Sequence, residues 1–194
     1  MTPGTIAKSE LILGGQKSGK SRRAELLARQ WLEQGTGPQA LLIATAQPWD
    51  EEMRARIARH QSDRAARVPG MVTVEEPLAL AQAIQQHSTP QTLLVVDCLT
   101  LWLTNCLMPA ELEPNQPPPR MEAAQIAPLL VAIENASGPV VLVGNEIGLG
   151  VIPLGSEVRA FVDALGQLNQ AVAQVCQRVT LMAAGLPLTL KDVQ

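Results

Sequence analysis

Eight consecutive residues, Gly14-Gly15-Gln16-Lys17-Ser18-Gly19-Lys20-Ser21, fit the pattern G-x-x-x-x-G-K-[ST] in full. Each residue type has a chemical use. The glycines let the backbone wrap so that successive N–H groups converge on an anion. A helix starting there adds the positive end of its dipole. The Lys20 ammonium would neutralise the β- and γ-phosphates, and the Ser21 hydroxyl would ligate Mg²⁺. A chance glycine-rich turn could match the same letters. The apolar run before the motif and the helical pattern after it argue for the phosphate cradle.

A phosphate-bound Mg²⁺ also needs a carboxylate from a neighbouring strand end. Asp97 closes the apolar run Leu93-Leu94-Val95-Val96 and is the candidate. Its alternative use is to cap the helix that follows. His60 is one of only two histidines and lies in the basic stretch Met53 to Arg64. On a helix, Arg56 and Arg64 are its i−4 and i+4 neighbours. A neutral imidazole there could attack an α-phosphate while the arginines hold departing pyrophosphate. The plainer alternative is an exposed histidine on a solvated basic face. His87, beside Ser88-Thr89-Pro90, reads as a helix-end residue. Asn145-Glu146-Ile147-Gly148 lacks the Lys and Asp of a guanine-reading N-K-x-D, so a GTPase switch is unsupported. Glu146 either orients substrate or caps the turn, and Trp31, Trp49 and Trp102 read as packing residues.

Short apolar runs alternate with longer helical patterns, which predicts one doubly wound α/β domain over residues 1–194 with a mostly parallel sheet. Strands are expected at Leu11–Leu13, Ala40–Ala44, Met71–Val74, Thr92–Val96, Val140–Val143, Val179–Ala183 and Leu186–Lys191. Helices are expected at Ser18–Gln34, Asp50–Ala66, Leu78–Gln86, Leu99–Met108, Met121–Asn135 and Ser156–Gln177, with Pro128 poorly placed inside the fifth. Asp50, Glu51 and Glu52 put negative charge at the start of the second helix, where its dipole favours it. Ala110–Arg120, with four prolines, reads as a loop.

The chain has 194 residues, of which 46% are hydrophobic and 17% charged, so it is neither disordered nor a coiled coil. Aromatic residues are only 2%, which excludes a stacking surface for single-stranded nucleic acid. A net charge of −3 supplies no overall basic field for nucleic acid or anionic lipid. Cys98, Cys106 and Cys176 match neither a disulfide framework nor a zinc site and read as reduced, buried thiols. With no signal pattern at the N-terminus and no apolar stretch that spans a bilayer, a cytoplasmic enzyme is expected.

The chain resembles the bifunctional adenosylcobinamide kinase/adenosylcobinamide-phosphate guanylyltransferase family of cobalamin biosynthesis. The resemblance rests on Gly14 through Ser21, Ile43-Ala44-Thr45-Ala46-Gln47-Pro48, Asp50-Glu51-Glu52-Met53 and Arg56-Ile57 through His60. It continues in Thr73-Val74-Glu75-Glu76-Pro77, Asp97-Cys98-Leu99-Thr100, Asn145 through Gly150 and Gly185-Leu186-Pro187-Leu188. It implies a P-loop fold with helices on both sheet faces and a homotrimeric assembly. It also implies two reactions: phosphorylation of adenosylcobinamide by ATP or GTP, then GMP transfer from GTP to adenosylcobinamide phosphate through His60. By the same resemblance, Gly14 through Ser21, Thr45, Ala46, Gln47, Gln61, Ser62, Asp63, Arg64, Glu75 and Asp97 contact nucleotide. The chain departs from the pattern at Arg59, where some members have a second histidine, and at Met71, where members commonly carry Trp shortly before the T-x-E segment. A P-loop kinase without guanylyl transfer, or a nucleotide-bound regulator without turnover, are the alternatives; the first needs no histidine nucleophile.

Overall fold

In the central strands, apolar side chains alternate between two separately packed layers, because successive residues of a strand point to opposite faces. Leu11 and Leu13, Leu94 and Val96, and Val140 and Leu142 enter one core cluster. Their neighbours Ile12, Leu93, Val95, Val141 and Val143 enter the other. Both faces are therefore covered, as a parallel sheet requires. The computed structural model describes residues 5–108, 123–150 and 153–193. The Pro-rich segment 109–120 lies outside them.

The elements run β1 (Ser9–Gly14), α1 (Lys20–Leu32), β2 (Gln39–Ala44), α2 (Glu51–Arg67), β3 (Val72–Glu75), α3 (Leu80–His87), β4 (Thr92–Asp97) and α4 (Leu99–Leu107). They continue with α5 (Ala123–Glu134), β5 (Val140–Val143), α6 (Ser156–Val175), β6 (Arg178–Ala183) and β7 (Leu186–Asp192). The seven strands form one sheet in the order β3-β2-β4-β5-β1-β6-β7. All pairings are parallel except that of β6 with β7. Their hairpin turns at Ala184 and Gly185, both at positive φ (51° and 80°), as a two-residue turn matched to strand twist demands. Ala24, Leu27 and Ala28 of α1 pack on one face of the sheet. Residues of α3, α4, α5 and α6 pack on the other.

The expected elements are present, with two differences. The first helix starts at Lys20, two residues after the expected Ser18, because Gly19 (φ 100°) and Lys17 (φ 55°) hold a left-handed loop. The fifth helix runs through Pro128. That proline sits in its second turn, where a single intrahelical bond is forfeited.

Candidate active site

All the parallel strands deliver their C-terminal ends to one sheet edge, and the loop Gly14–Gly19 leaves the middle of it. Gly14 is needed for close approach. A Cβ there would lie 2.5 Å from the Met182 carbonyl oxygen and 2.6 Å from Ser18 Oγ. The loop is tied on several sides. Ser18 N–H donates to the Gly15 carbonyl at 3.3 Å, Gly185 N–H of the β6–β7 turn donates to the Ser18 carbonyl at 3.0 Å, and Glu146 N–H donates to the Gly14 carbonyl at 3.1 Å. A cavity of about 390 Å³ is lined by Gly15 through Ser18, Leu149 and Leu181 through Ala184.

Lys20, the first residue of α1, is buried, and its Nζ donates to the Gly15 carbonyl at 2.6 Å. Burial lowers its pKa below the ordinary 10.5, and the charge of Arg56 adds to that; Cys98 and Asp97 act the other way. These influences show what surrounds the ammonium: the end of β4 and the first half of α2. Ser21 follows on α1, half-buried, and Asp97 is half-buried at the end of β4. Asp97 is not on the strand next to β1, where the sequence reading expects it, because β5 lies between β1 and β4. Asp97 does not cap α4, whose N-cap Cys98 has no side-chain hydrogen bond. Ser21 and Asp97 offer hard oxygen donors of the kind a phosphate-bound divalent cation takes. Among the described residues, no three His, Cys, Asp or Glu side chains group to hold a metal by themselves.

α2 carries the histidine. Asp50 caps it by accepting from Met53 N–H at 2.7 Å. With about 100° per residue, Arg56, His60 and Arg64 fall within an arc of roughly 80°. The two arginines locate that arc. Arg56 acts on Lys20, and Arg64 is buried with its guanidinium 3.4 Å from Thr73 Oγ1 of β3. Arg67, in the same arc, reaches Glu25 of α1. His60 is exposed, yet it belongs to the side of the helix that faces the protein. Asp63 shares the arc and pairs with Arg67 at 3.3 Å. Gln61 stands about 100° from His60, and Ser62 lies on the far side of the helix.

Thr45 is fully buried just past β2. Its Oγ1 accepts from Cys98 N–H at 2.9 Å and donates to the Cys98 carbonyl at 2.8 Å. It thus locks β2 to the end of β4 beside Asp97. Ala46 and Gln47 follow, half-buried, and Glu75 is exposed at the end of β3, opposite Ala44. Glu146 caps its own turn, accepting from Gly148 N–H at 2.9 Å. Trp31 and Trp102 are packing residues whose indole N–H groups reach the Gln91 and Leu78 carbonyls; Trp49 is exposed. All three cysteines are free thiols, Cys98 and Cys176 buried and Cys106 partly so.

Three polar residues of the site's frame went unread in the sequence. Thr100 Oγ1 accepts from Asn145 N–H at 2.9 Å, Asn169 donates to the Asn145 carbonyl at 3.1 Å, and Asn105 donates to the Thr45 carbonyl at 2.8 Å. Their signal was a polar side chain within an apolar helix stripe, which is costly unless hydrogen-bonded.

Comparison with known proteins identifies the family. Residues 10–190 match the family model described as cobinamide kinase / cobinamide phosphate guanyltransferase. The bifunctional adenosylcobalamin biosynthesis protein CobP of Pseudomonas aeruginosa is 46% identical over 182 residues, covering 94% of this chain and 96% of that protein. The corresponding CobU proteins of Salmonella typhimurium and Escherichia coli are 36% and 34% identical, covering 93% of this chain and 98% of each. Among solved structures, the flagellar accessory protein FlaH of Methanocaldococcus jannaschii aligns with a TM-score of 0.54 at 10% identity, covering 99% of this chain and 82% of that one. A Pyrococcus horikoshii protein aligns at 0.51, also at 10% identity, covering 97% and 88%. These two share the fold alone, a mostly parallel α/β sheet with helices.

Proposed function

Because the chain belongs to the cobinamide kinase / cobinamide phosphate guanyltransferase family of enzymes, we propose that the cleft between its P-loop and α2 performs both reactions at one nucleotide site. In the first, the hydroxyl oxygen of the aminopropanol arm of adenosylcobinamide attacks the γ-phosphorus of ATP or GTP. The bond to the β-phosphate oxygen breaks, the nucleoside diphosphate leaves and the hydroxyl proton is released. Gly14 through Ser21 hold the phosphates, with Lys20 supplying the charge that offsets what builds up on the transferring oxygens. Ser21 and Asp97 would hold Mg²⁺, which would offset the charge of the phosphates when bound.

In the second reaction a ring nitrogen of His60 attacks the α-phosphorus of GTP and pyrophosphate leaves. A phosphate oxygen of adenosylcobinamide phosphate then displaces the histidine, breaking the P–N bond and giving adenosylcobinamide-GDP. Covalent catalysis splits one difficult transfer into two displacements. Arg56 flanks the departing pyrophosphate. Ala46 and Gln47, with Asp63, Arg64 and Glu75, contact the nucleoside side, and Thr45 is buried behind them; Gln61 joins them at the margin of the α2 face, and Ser62, on the far side of the helix, does not.

The observation that carries this reading is the position of Arg56. One turn before His60, its charge acts on Lys20, which supports a histidine face of α2 turned toward the phosphate cradle. A kinase alone would need no such histidine. We further read residues 1–194 as one catalytic unit working in the cytoplasm as a homotrimer. Leu186, Leu188 and Leu190, each more than half exposed on the edge strand β7, support assembly, since an apolar open edge is otherwise a liability. No helix of the described residues is long and apolar enough to cross a membrane. The test is to assay both half-reactions in His60→Ala. Phosphorylation of adenosylcobinamide should persist while guanylyl transfer disappears, and loss of neither would refute the role of His60.

A further inference from the structure

Asn105 is 3% exposed in the last turn of α4, a helix whose other residues are Leu, Thr, Trp and Cys. Its Nδ2 donates twice, to the Thr45 carbonyl at 2.8 Å and to the Pro77 carbonyl at 3.1 Å. With two carbonyl acceptors on that side, the amide can face only one way. Thr45 is the first residue after β2, and Pro77 lies two residues past β3. These are the exits of β2 and β3, and they bracket the unit α2–β3, which carries His60. One side chain from α4 therefore grips that unit at both ends. Trp102, one turn earlier, holds the next residue, Leu78, through its indole N–H at 2.9 Å. The phosphate-binding side of the sheet is separate. The P-loop leaves β1, which is two strands from β4 and three from β2.

Resting on the two-reaction reading above, we infer that Asn105 is a positioning residue for guanylyl transfer. It sets α2, and with it His60, against a nucleotide whose phosphates are fixed independently by the P-loop. Its loss should act unequally on the two reactions. Phosphoryl transfer depends on Lys20 and Asp97, which Asn105 does not touch. Attack on the α-phosphate depends on the position of α2, and a misplacement of about 1 Å can cost on the order of 100-fold.

The test compares wild type with Asn105→Leu, which keeps the branched heavy-atom shape and removes both donors, and with the smaller Asn105→Ser. Two rates are measured on each sample: single-turnover guanylylation of the protein by GTP, and ATP-dependent phosphorylation of adenosylcobinamide. Their ratio does not depend on how much of a sample is folded, so a poorly folding variant still reports. The expected result is a fall of about tenfold or more in that ratio. A ratio that stays at the wild-type value, whether both rates fall together or neither does, would overturn the assignment. Wild type that takes up no guanylyl group would instead refute the two-reaction reading itself.

Discussion

Arg67 of α2 reaches back across the cleft to Glu25 of α1, guanidinium to carboxylate at 2.9 Å. The helix with the histidine is thereby tied to the helix that begins at the P-loop lysine. Glu25 is buried and Arg67 is about half exposed, so the pair is screened from one side. Glu25 foremost raises the pKa of Arg67. Arg67→Ala leaves a buried carboxylate without its partner. Because water reaches the arginine, the expected loss is about 1 kcal/mol rather than that of a fully buried pair. Denaturant unfolding measures it. Guanylyl transfer should fall more than phosphoryl transfer, since the tether governs the distance between His60 and the nucleotide.

Lys20→Ala should abolish both reactions, with kcat/KM down on the order of 100-fold or more. In wild type the lysine is held below its ordinary 10.5 by burial and by Arg56. The free enzyme therefore loses this charge at a lower pH than an exposed lysine does. A bound triphosphate favours the ammonium and restores it. Nucleotide affinity is expected to drop on the alkaline side before pH 10.5, with a proton taken up on binding in that range. Calorimetry in buffers of different ionisation heat reads the uptake directly.

Gly14→Ala and Gly15→Ala should separate folding from binding. A methyl at Gly14 collides with the Met182 backbone, whereas nothing lies within 4 Å of a methyl at Gly15. The first substitution should destabilise the fold by about 1–3 kcal/mol. The second should leave the melting temperature near wild type, any loss appearing in nucleotide KM. Thermal melts of the two variants decide it.

The P-loop, Asp97 and the strand pattern were legible because each is local: a fixed spacing, or an apolar run ended by a polar residue. The four apolar letters Leu93 to Val96 announce a strand covered on both faces. The strand order is not legible, since nothing in Val140–Val143 states that it inserts between β1 and β4. Bonds that cross long stretches of chain were equally hidden. Asn105 serves carbonyls 60 and 28 residues away. The Glu10 carboxylate, 1% exposed in β1, meets Arg23 and Thr180 through one oxygen and Arg178 through the other. From letters alone such residues look like ordinary surface polars.

Burial holds Cys98 up at about 11 and Cys176 at about 12, against an ordinary 9.0. The unfolded chain gives up these protons first. Stability from the two thiols is therefore complete below pH 9 and is lost as pH rises through the folded values. The slope approaches about 1.4 kcal/mol per pH unit for each thiol. Unfolding of wild type and of the Cys98→Ala/Cys176→Ala variant, compared between about pH 8 and pH 10.5, should show the steeper alkaline decline in wild type. At neutral pH both thiols should resist alkylation until the protein unfolds, with Cys106 reacting first.

The most direct measurement incubates the protein with Mg²⁺ and GTP labelled at the α-phosphate, in the absence of corrinoid, for wild type and His60→Ala. Label that stays on wild type, is lost in acid, survives base and never appears on His60→Ala is the expected result. Absence of label from folded wild type that binds GTP, or equal label on the variant, would contradict the central claim that His60 carries the guanylyl group.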